Sequence, residues 1–255
     1  EKVLIDTPLQ GLAIDDDSWS DDTDFSIGVN TNVSLLDGTS LTKISASSTK
    51  NETEAYSGEP IGNESSRVGY SMQTTWVFNV GAYAKNQTTV FGQREEETYR
   101  NTEPSSPEQE AEQERNLTGL GFEHRLELWD SVFLSGVLRR DNNDAFENEV
   151  TYSTSIAYLI RRSGTRIHTS YGKGVTNPSF FEQFGFNPGT FKGNPDLKPE
   201  KSKGGDIGVE QSLMNDDLVF DLTYFNATLN DEIVGFYDVV DRSEEHTSEL
   251  QSHHD

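Results

Sequence analysis

The segment YGKGVTNPSFFEQFGF at residues 171–186, then GNPDLKPEKS at residues 193–202, then an alternating run over residues 206–225, decides how this chain folds. Read on its own terms it is strand, long connection, strand, tight polar turn, strand. Pro195 and Pro199 lack the N–H that a sheet ladder needs, and Asp196 favours a local turn. The middle of the segment is therefore a connection and its flanks are strands.

Four motifs follow one another here: a glycine-ended strand, NPSFFEQFG, GNPDLKPE and an IGVEQ strand. In that order and at that spacing they resemble the barrels of TonB-dependent outer-membrane receptors. The resemblance implies an all-β chain, part of a large antiparallel transmembrane β-barrel. It also implies a receptor for a scarce, large nutrient such as cobalamin or an iron-siderophore complex. An energised TonB complex in the inner membrane would act through a plug that this sequence lacks. The partners implied are outer-membrane lipid, the nutrient and TonB, and the location is the outer membrane of a Gram-negative bacterium. The layout of residues 181–200 leans towards cobalamin-receptor-like members. Receptors of this family often carry a Gly-x-Arg-Tyr-Asp-like signature, which Arg139 and Asp141 match while Arg140 stands in for the aromatic.

Working outward, period-two alternation recurs along the chain. Phe25, Ile27, Val29, Thr31, Val33 and Leu35 share one face, and Asp37-Gly38 follows as a hairpin signal. Residues 41–56 read as the return strand. Val68, Tyr70, Met72, Thr74, Trp76 and Phe78 make a second apolar face, and Leu120, Phe122, Leu126 and Leu128 a third, interrupted by His124. Residues 133–141 return after a WDS turn, and Val150, Tyr152, Thr154, Ile156, Tyr158 and Ile160 give a fourth face before RRSGT. Short connections (DG, the Gly81 segment, WDS, RRSGT, NDD) alternate with long ones. The long set is residues 7–24, 59–66, 99–115, DNNDAFEN and 177–204. Outer-membrane barrels have this layout, with short turns on one side and long loops on the other. About ten strands are expected, under half of a barrel of about 22.

Composition limits the alternatives. With 32% hydrophobic residues in 255, no stretch approaches the roughly 18 apolar residues of a membrane helix. A net charge of −24 excludes nucleic acid as a partner, because phosphate binding needs an excess of Lys and Arg. No cysteine is present, so neither a disulfide framework nor a thiolate metal site exists. His124 and His168 stand alone, without a partner at zinc-ligand spacing. Gly172-Lys173-Gly174 lacks the third glycine and the βαβ context of a dinucleotide loop. No nucleophile elbow or paired-carboxylate motif marks an enzyme, and no cofactor is expected. The acidic cluster over residues 15–24 has oxygens suited to calcium but lacks the glycine and closing glutamate of a helix-loop-helix site; a solvated loop is the expectation.

Two domain-level expectations concern the ends. The start at Glu1, with neither initiator methionine nor leader, is that of a fragment: residues 1–241 as partial barrel, with plug and remaining strands missing. Residues 242–255, RSEEHTSELQSHHD, break the pattern, and their first eleven resemble an in-frame translation of a sequencing-library adapter, hence a non-native tail. Removing it takes away one arginine and four carboxylates and leaves −21. His246, His253 and His254 go with it.

Phe180, Phe181, Phe184 and Phe186 are the candidate ligand contacts at the barrel mouth, weighed against packing within the loop or the aromatic girdle. The fragment alone is expected not to transport. The alternative class is a soluble or surface β-rich adhesin or carbohydrate-binding protein. A barrel keeps its apolar face outward, whereas a sandwich buries it between sheets.

Overall fold

A computed structural model describes residues 2–4, 19–56, 60–102, 112–187 and 191–235. Among these residues there are thirteen strands: β1 (Lys2–Leu4), β2 (Trp19–Leu35), β3 (Ser40–Tyr56), β4 (Pro60–Val80), β5 (Ala84–Asn101), β6 (Gln113–Leu128), β7 (Val132–Asn143), β8 (Glu149–Ile160), β9 (Thr165–Thr176), β10 (Phe186–Asn187), β11 (Phe191–Lys192), β12 (Glu200–Leu213) and β13 (Leu218–Asn230). Eleven form a single antiparallel sheet in chain order, with β12 beside β9; β10 and β11 form a separate ribbon. The ten long strands match the expected number, and the GNPDLKPE connection joins the eighth and ninth of them.

Register places the alternation on two faces. Ile27 is opposite Ser48, Ile44 opposite Met72, Val90 opposite Phe122, and Leu134 opposite both Leu126 and Ile156. Ile207 continues the row, opposite Thr169 and Tyr224. The result is one apolar face across the sheet, on which Phe25, Ile27, Met72, Ile156, Ile207 and Leu222 are all exposed. No second sheet covers it among the described residues, which rules out the sandwich arrangement. The apolar run in β4 from Val68 to Phe78 is about the nine to eleven residues of a tilted membrane strand. Tyr70 stands near one end of that run and Trp76 and Phe78 at the other, the aromatic placement of a lipid interface.

Several strands run well beyond that span. β4 has 21 residues, about 70 Å of chain at 3.3 Å per residue. The ladder of β3 and β4 continues to Tyr56 opposite Pro60. Residues 60–66 are thus strand, which corrects the expected loop over 59–66. The same correction applies to Trp19 to Asp24, to Tyr99 to Asn101, to Gln113 to Arg115, to Asp141 to Asn143, and to Glu200 to Gly204. Beyond the bilayer both faces of a strand meet water, so the alternation that announces a strand disappears. Within the acidic cluster, Asp22 accepts a hydrogen bond from Thr53 at 2.7 Å and Asp24 one from Asn51 at 2.7 Å. They are cross-strand partners in β2 and β3. Residues 7–18, residues 103–111 and residues 242–255, with the expected adapter-like tail, lie outside the described residues.

All five short connections are tight turns. Trp129 and Asp130 both adopt left-handed backbone, φ 51° and 46°, in the three-residue connection between the paired Leu128 and Val132, where Ser131 N donates to Leu128 O at 3.0 Å. For a bulky residue this conformation costs about 1–2 kcal/mol. Local bonds offset it: the Trp129 N–H donates to Tyr83 O at 2.8 Å, and Arg161 donates to Trp129 O at 3.0 Å. Lys85 and Arg161 both reach the Asp130 carboxylate, at 2.8 and 3.0 Å, and tie three neighbouring turns together.

Hydrogen bonds from Lys85 and then Arg161 hold the Asp130 carboxyl down at about 2. A depressed carboxylate stabilises the fold fully above its unfolded value, about 3.9, and that contribution is lost as pH falls through the folded value. Hydrogen exchange of the 129–131 turn, corrected for intrinsic rate, should lose protection between about pH 4 and about pH 2. Asp130→Asn should lower protection at neutral pH and abolish this acid step.

Candidate functional site

Buried side chains are scarce among the described residues, and four of them gather on the polar face, where the long connection after β9 folds back over β5 and β6. Pro178 is fully buried there, Tyr99 is 4% exposed, and Arg115 and Gln183 are 6% exposed. Helix α1 (Phe180–Phe184) begins at Ser179, whose hydroxyl accepts from Glu182 N while the Glu182 carboxylate accepts from Ser179 N. This reciprocal capping box lets a five-residue helix hold its shape.

GNPDLKPE packs behind that helix. Gly193 N donates to Gly185 O and Asn194 N to Glu182 O. The Asn194 side chain accepts from Asp196 N, closing the turn ahead of Pro199. Any Cβ at position 193 would lie 2.6 Å from the Gln183 carbonyl carbon, so the position must be glycine.

Arg115 joins this connection to the wall. Its Nη1 donates to Pro178 O at 2.9 Å and its Nη2 to Gln183 Oε1 at 2.8 Å, while Gln183 Nε2 donates to Pro195 O at 3.2 Å. The guanidinium lies 4.3 Å from the Phe180 ring centre and 4.8 Å from that of Phe146. Desolvated cation–π contacts of this kind contribute about 2 kcal/mol. Burial lowers the Arg115 pKa, and Glu97, 3.9 Å away, opposes that. The side chain stays charged, as arginines do. Tyr99 stacks on Phe180 at 5.7 Å, and burial pushes its phenol up to about 12.

Of the four candidate aromatics, Phe180 is locked between Tyr99 and Arg115. Phe184 sits 6.3 Å from Phe180, and its carbonyl accepts from Asn101 Nδ2 at 3.1 Å. Phe181 stacks on Phe191 at 4.6 Å and remains 44% exposed. Phe186 opens β10, apart from the helix. Phe180 and Phe181 line a cavity of about 640 Å³ between the connection and the ends of β3 to β7. Its other walls are mainly hydroxyl and amide side chains, among them Asn51, Asn63, Thr98 and Asn143, with Arg67 paired to Glu97. A second cavity, of about 330 Å³, shares Leu117, Asn143 and Asn177 with the first. In it Arg139 grips Asp141 with Nε at 2.9 and 2.8 Å from the two carboxylate oxygens and reaches Gln93 at 3.2 Å. Gly119 lies beneath that pair: a Cβ there would be 2.6 Å from Asp141 Oδ1.

Sequence reasoning placed Arg115 and Tyr99 in a polar loop and missed both. Arg115 continues the parity of Leu117, Gly119 and Gly121, opposite the Leu120 and Phe122 face, and that was the available signal. The histidines serve the wall: His124 bonds Thr88 at 3.0 Å, and His168 lies 3.2 Å from Asp221. Among the described residues no cluster of three His, Asp or Glu side chains gathers to hold a metal.

An antiparallel sheet in chain order, apolar on one face and polar on the other, with tight turns at one end and a folded connection over its polar face, is wall of a transmembrane β-barrel. Among the described residues no helix is long and apolar enough to cross a membrane; the strands do so. The chain belongs to the TonB-dependent receptor family: the family described as TonB dependent receptor-like, beta-barrel matches residues 6–248. It is 31% identical over 113 residues to the vitamin B12 transporter BtuB of Photobacterium profundum, covering 44% of this chain and 18% of that protein. The siderophore receptor PirA of Pseudomonas aeruginosa superposes with a TM-score of 0.72 at 16% identity, covering 88% of this chain and 42% of that one. The hemophore receptor HasR of Serratia marcescens does so with a TM-score of 0.69 at 13% identity, covering 83% of this chain and 40% of that one. The chain thus spans less than half the length of these proteins.

Arg115→Ala should leave Pro178 O and Gln183 Oε1 without their buried partner, at about 1–3 kcal/mol each. Faster hydrogen exchange over residues 177–187, with β8 and β13 unchanged, is the expected reading. Gly193→Ala should act on the same segment through its clash with the Gln183 backbone.

Proposed function

We propose that this chain is part of the barrel of an outer-membrane receptor that takes up a scarce, large nutrient, cobalamin or an iron-siderophore complex, in a Gram-negative bacterium. The observation that carries the reading is the uncovered apolar band, bordered by aromatic residues, on a sheet whose polar face holds the Arg115 site. Membership of the TonB-dependent receptor family supports energised uptake, with TonB acting through a plug supplied outside this sequence. The similarity to a vitamin B12 transporter favours cobalamin; the likeness to siderophore receptors is one of fold. Phe181, exposed where it lines the cavity with Phe180, is our first choice for a ligand contact, and Phe180 serves by holding the helix in place. Residues 1–241 are the barrel portion in this reading, and 242–255 a non-native tail; resequencing the source gene would show whether β pattern continues past residue 241.

The test is uptake by cells. A strain lacking its own cobalamin and siderophore receptors should regain TonB-dependent growth on one of these nutrients when given the complete parent gene. Growth unchanged on both would overturn the reading. The isolated chain, in which β1 and β13 are the edges of the sheet among the described residues, should self-associate and fail to transport; uptake restored by it alone would refute this.

A further inference from the structure

The apolar face of the sheet gives way to positive charge at the same height on four strands. Lys50 on β3, Arg94 on β5, Arg140 on β7 and Lys203 on β12 share the parity of Ile44, Val90, Leu134 and Ile207, so they stand on the lipid side of the wall. Between each of them and the adjoining turn, no Lys, Arg, Asp or Glu has that parity. Lys50, Arg94 and Lys203 lie ten residues from the pairs that close their hairpins, Leu35 with Ser40, Val80 with Ala84 and Leu213 with Leu218; Arg140 lies eight from Leu128 with Val132. At 3.3 Å per residue and a tilt of about 40°, those lengths span about 20–25 Å, close to the height of a lipid-facing band. Phe25 is directly opposite Lys50, Tyr70 opposite Arg94 and Leu120 opposite Arg140. The cations therefore mark the upper border of the band.

This row is distinct in a chain whose net charge is −24. It is one residue deep, because the next positions outward on β3 and β5 are Glu52 and Glu96. Lys50 is taken by Glu64 at 2.7 Å. Arg94 gives only its Nε to Glu96, at 2.8 Å, and Arg140 only its Nε to Asn142, at 3.2 Å. The Nη groups of both arginines and the Lys203 ammonium meet no acceptor among the described residues, and all three side chains are exposed. Arg94 is opposite Thr118 and Arg140 opposite Leu120, so the two arginines flank β6 from either side, about 10 Å apart at the strand spacing. One tetrahedral anion fits between them over the Thr118 hydroxyl. At the turn end Lys85 and Arg161 are committed to Asp130, and Asp37, Asp216 and Asp217 add negative charge.

We propose that Arg94 and Arg140, with Lys203 further along the row, bind the phosphate groups of lipid headgroups in the leaflet on the side of the long connections. Continuity with the apolar band selects a lipid over a free anion: the acyl chains of the same molecule lie on Leu120, Phe122 and Leu138 just below, all of them exposed. Guanidinium pairs favour phosphate through parallel N–H donors. The inference rests on the membrane-wall reading and holds whichever nutrient is carried.

Native mass spectrometry of the complete receptor in detergent tests it, with dioleoyl phosphatidic acid, dioleoyl glycerol and inorganic phosphate as probes. Phosphatidic acid should be retained at least about tenfold more strongly than the glycerol lipid, which differs only by the phosphate, and inorganic phosphate should not displace it at equal concentration. Arg94→Gln with Arg140→Gln should weaken phosphatidic acid about tenfold at an unchanged melting temperature, while Arg94→Lys with Arg140→Lys should keep most of the binding. Lys43→Gln with Arg125→Gln removes the same charge from the polar face, where Lys43 is opposite Gln73 and Arg125 opposite Ser135, and should leave binding as it was. Equal retention of the two lipids, displacement by inorganic phosphate, or equal losses in the lipid-face and polar-face glutamine variants would each overturn the proposal. Uptake by cells is read separately, so none of these results bears on the nutrient.

Discussion

Inside a bilayer every peptide N–H and C=O must find a partner within the protein, and the rest of this structure depends on that requirement. Eleven strands meet it by pairing edge to edge in chain order. Pairing in turn forces side chains to alternate, so each strand offers one row to lipid and one to the interior. The apolar band and the polar face are consequences of a single backbone constraint. It also explains how a chain with a net charge of −24 and only 32% hydrophobic residues can be a membrane protein: just one residue in two, over part of each strand, has to be apolar.

Where the strands leave the bilayer, the demand changes from pairing backbone to holding long connections in place. Arg115 answers it by charge. A guanidinium brought into a dry site requires acceptors, and it finds them in Pro178 O and Gln183 Oε1, more than sixty residues away in sequence. The rings of Phe180 and Phe146 complete its surroundings. Gly193 and Gly185 let the returning chain approach this core closely, since a side chain at either would meet backbone within 2.6 Å. The connection after β9 is therefore a packed element, and the cavity beside it has walls of defined shape.

Much of this was legible in the residues. Alternation located β2, β4, β6, β8 and the pair β12 and β13, DG, WDS, RRSGT and NDD marked turns that exist, and the prolines of GNPDLKPE marked a connection in the right place. Strand ends were not legible at residues 19–24, 60–66 and 99–101. Those stretches are polar on both faces because water bathes both, and a polar strand and a polar loop then read alike. The environments of the phenylalanines in this connection differ, Phe180 stacked on Tyr99 and Phe181 half open, and follow from contacts that no local pattern encodes.

What the sequence by itself determined is local: which residues face lipid, where the chain turns, and where proline and glycine forbid a strand. These follow from period-two geometry and from the chemistry of each residue. The tertiary structure alone decided that Tyr99 on β5, Arg115 on β6, Asn143 on β7 and Phe180 on α1 meet at one cavity. Their separation along the chain is set by how many strands intervene and by the path of the connection that folds back over them, and closeness of that kind leaves no periodic trace in the residues.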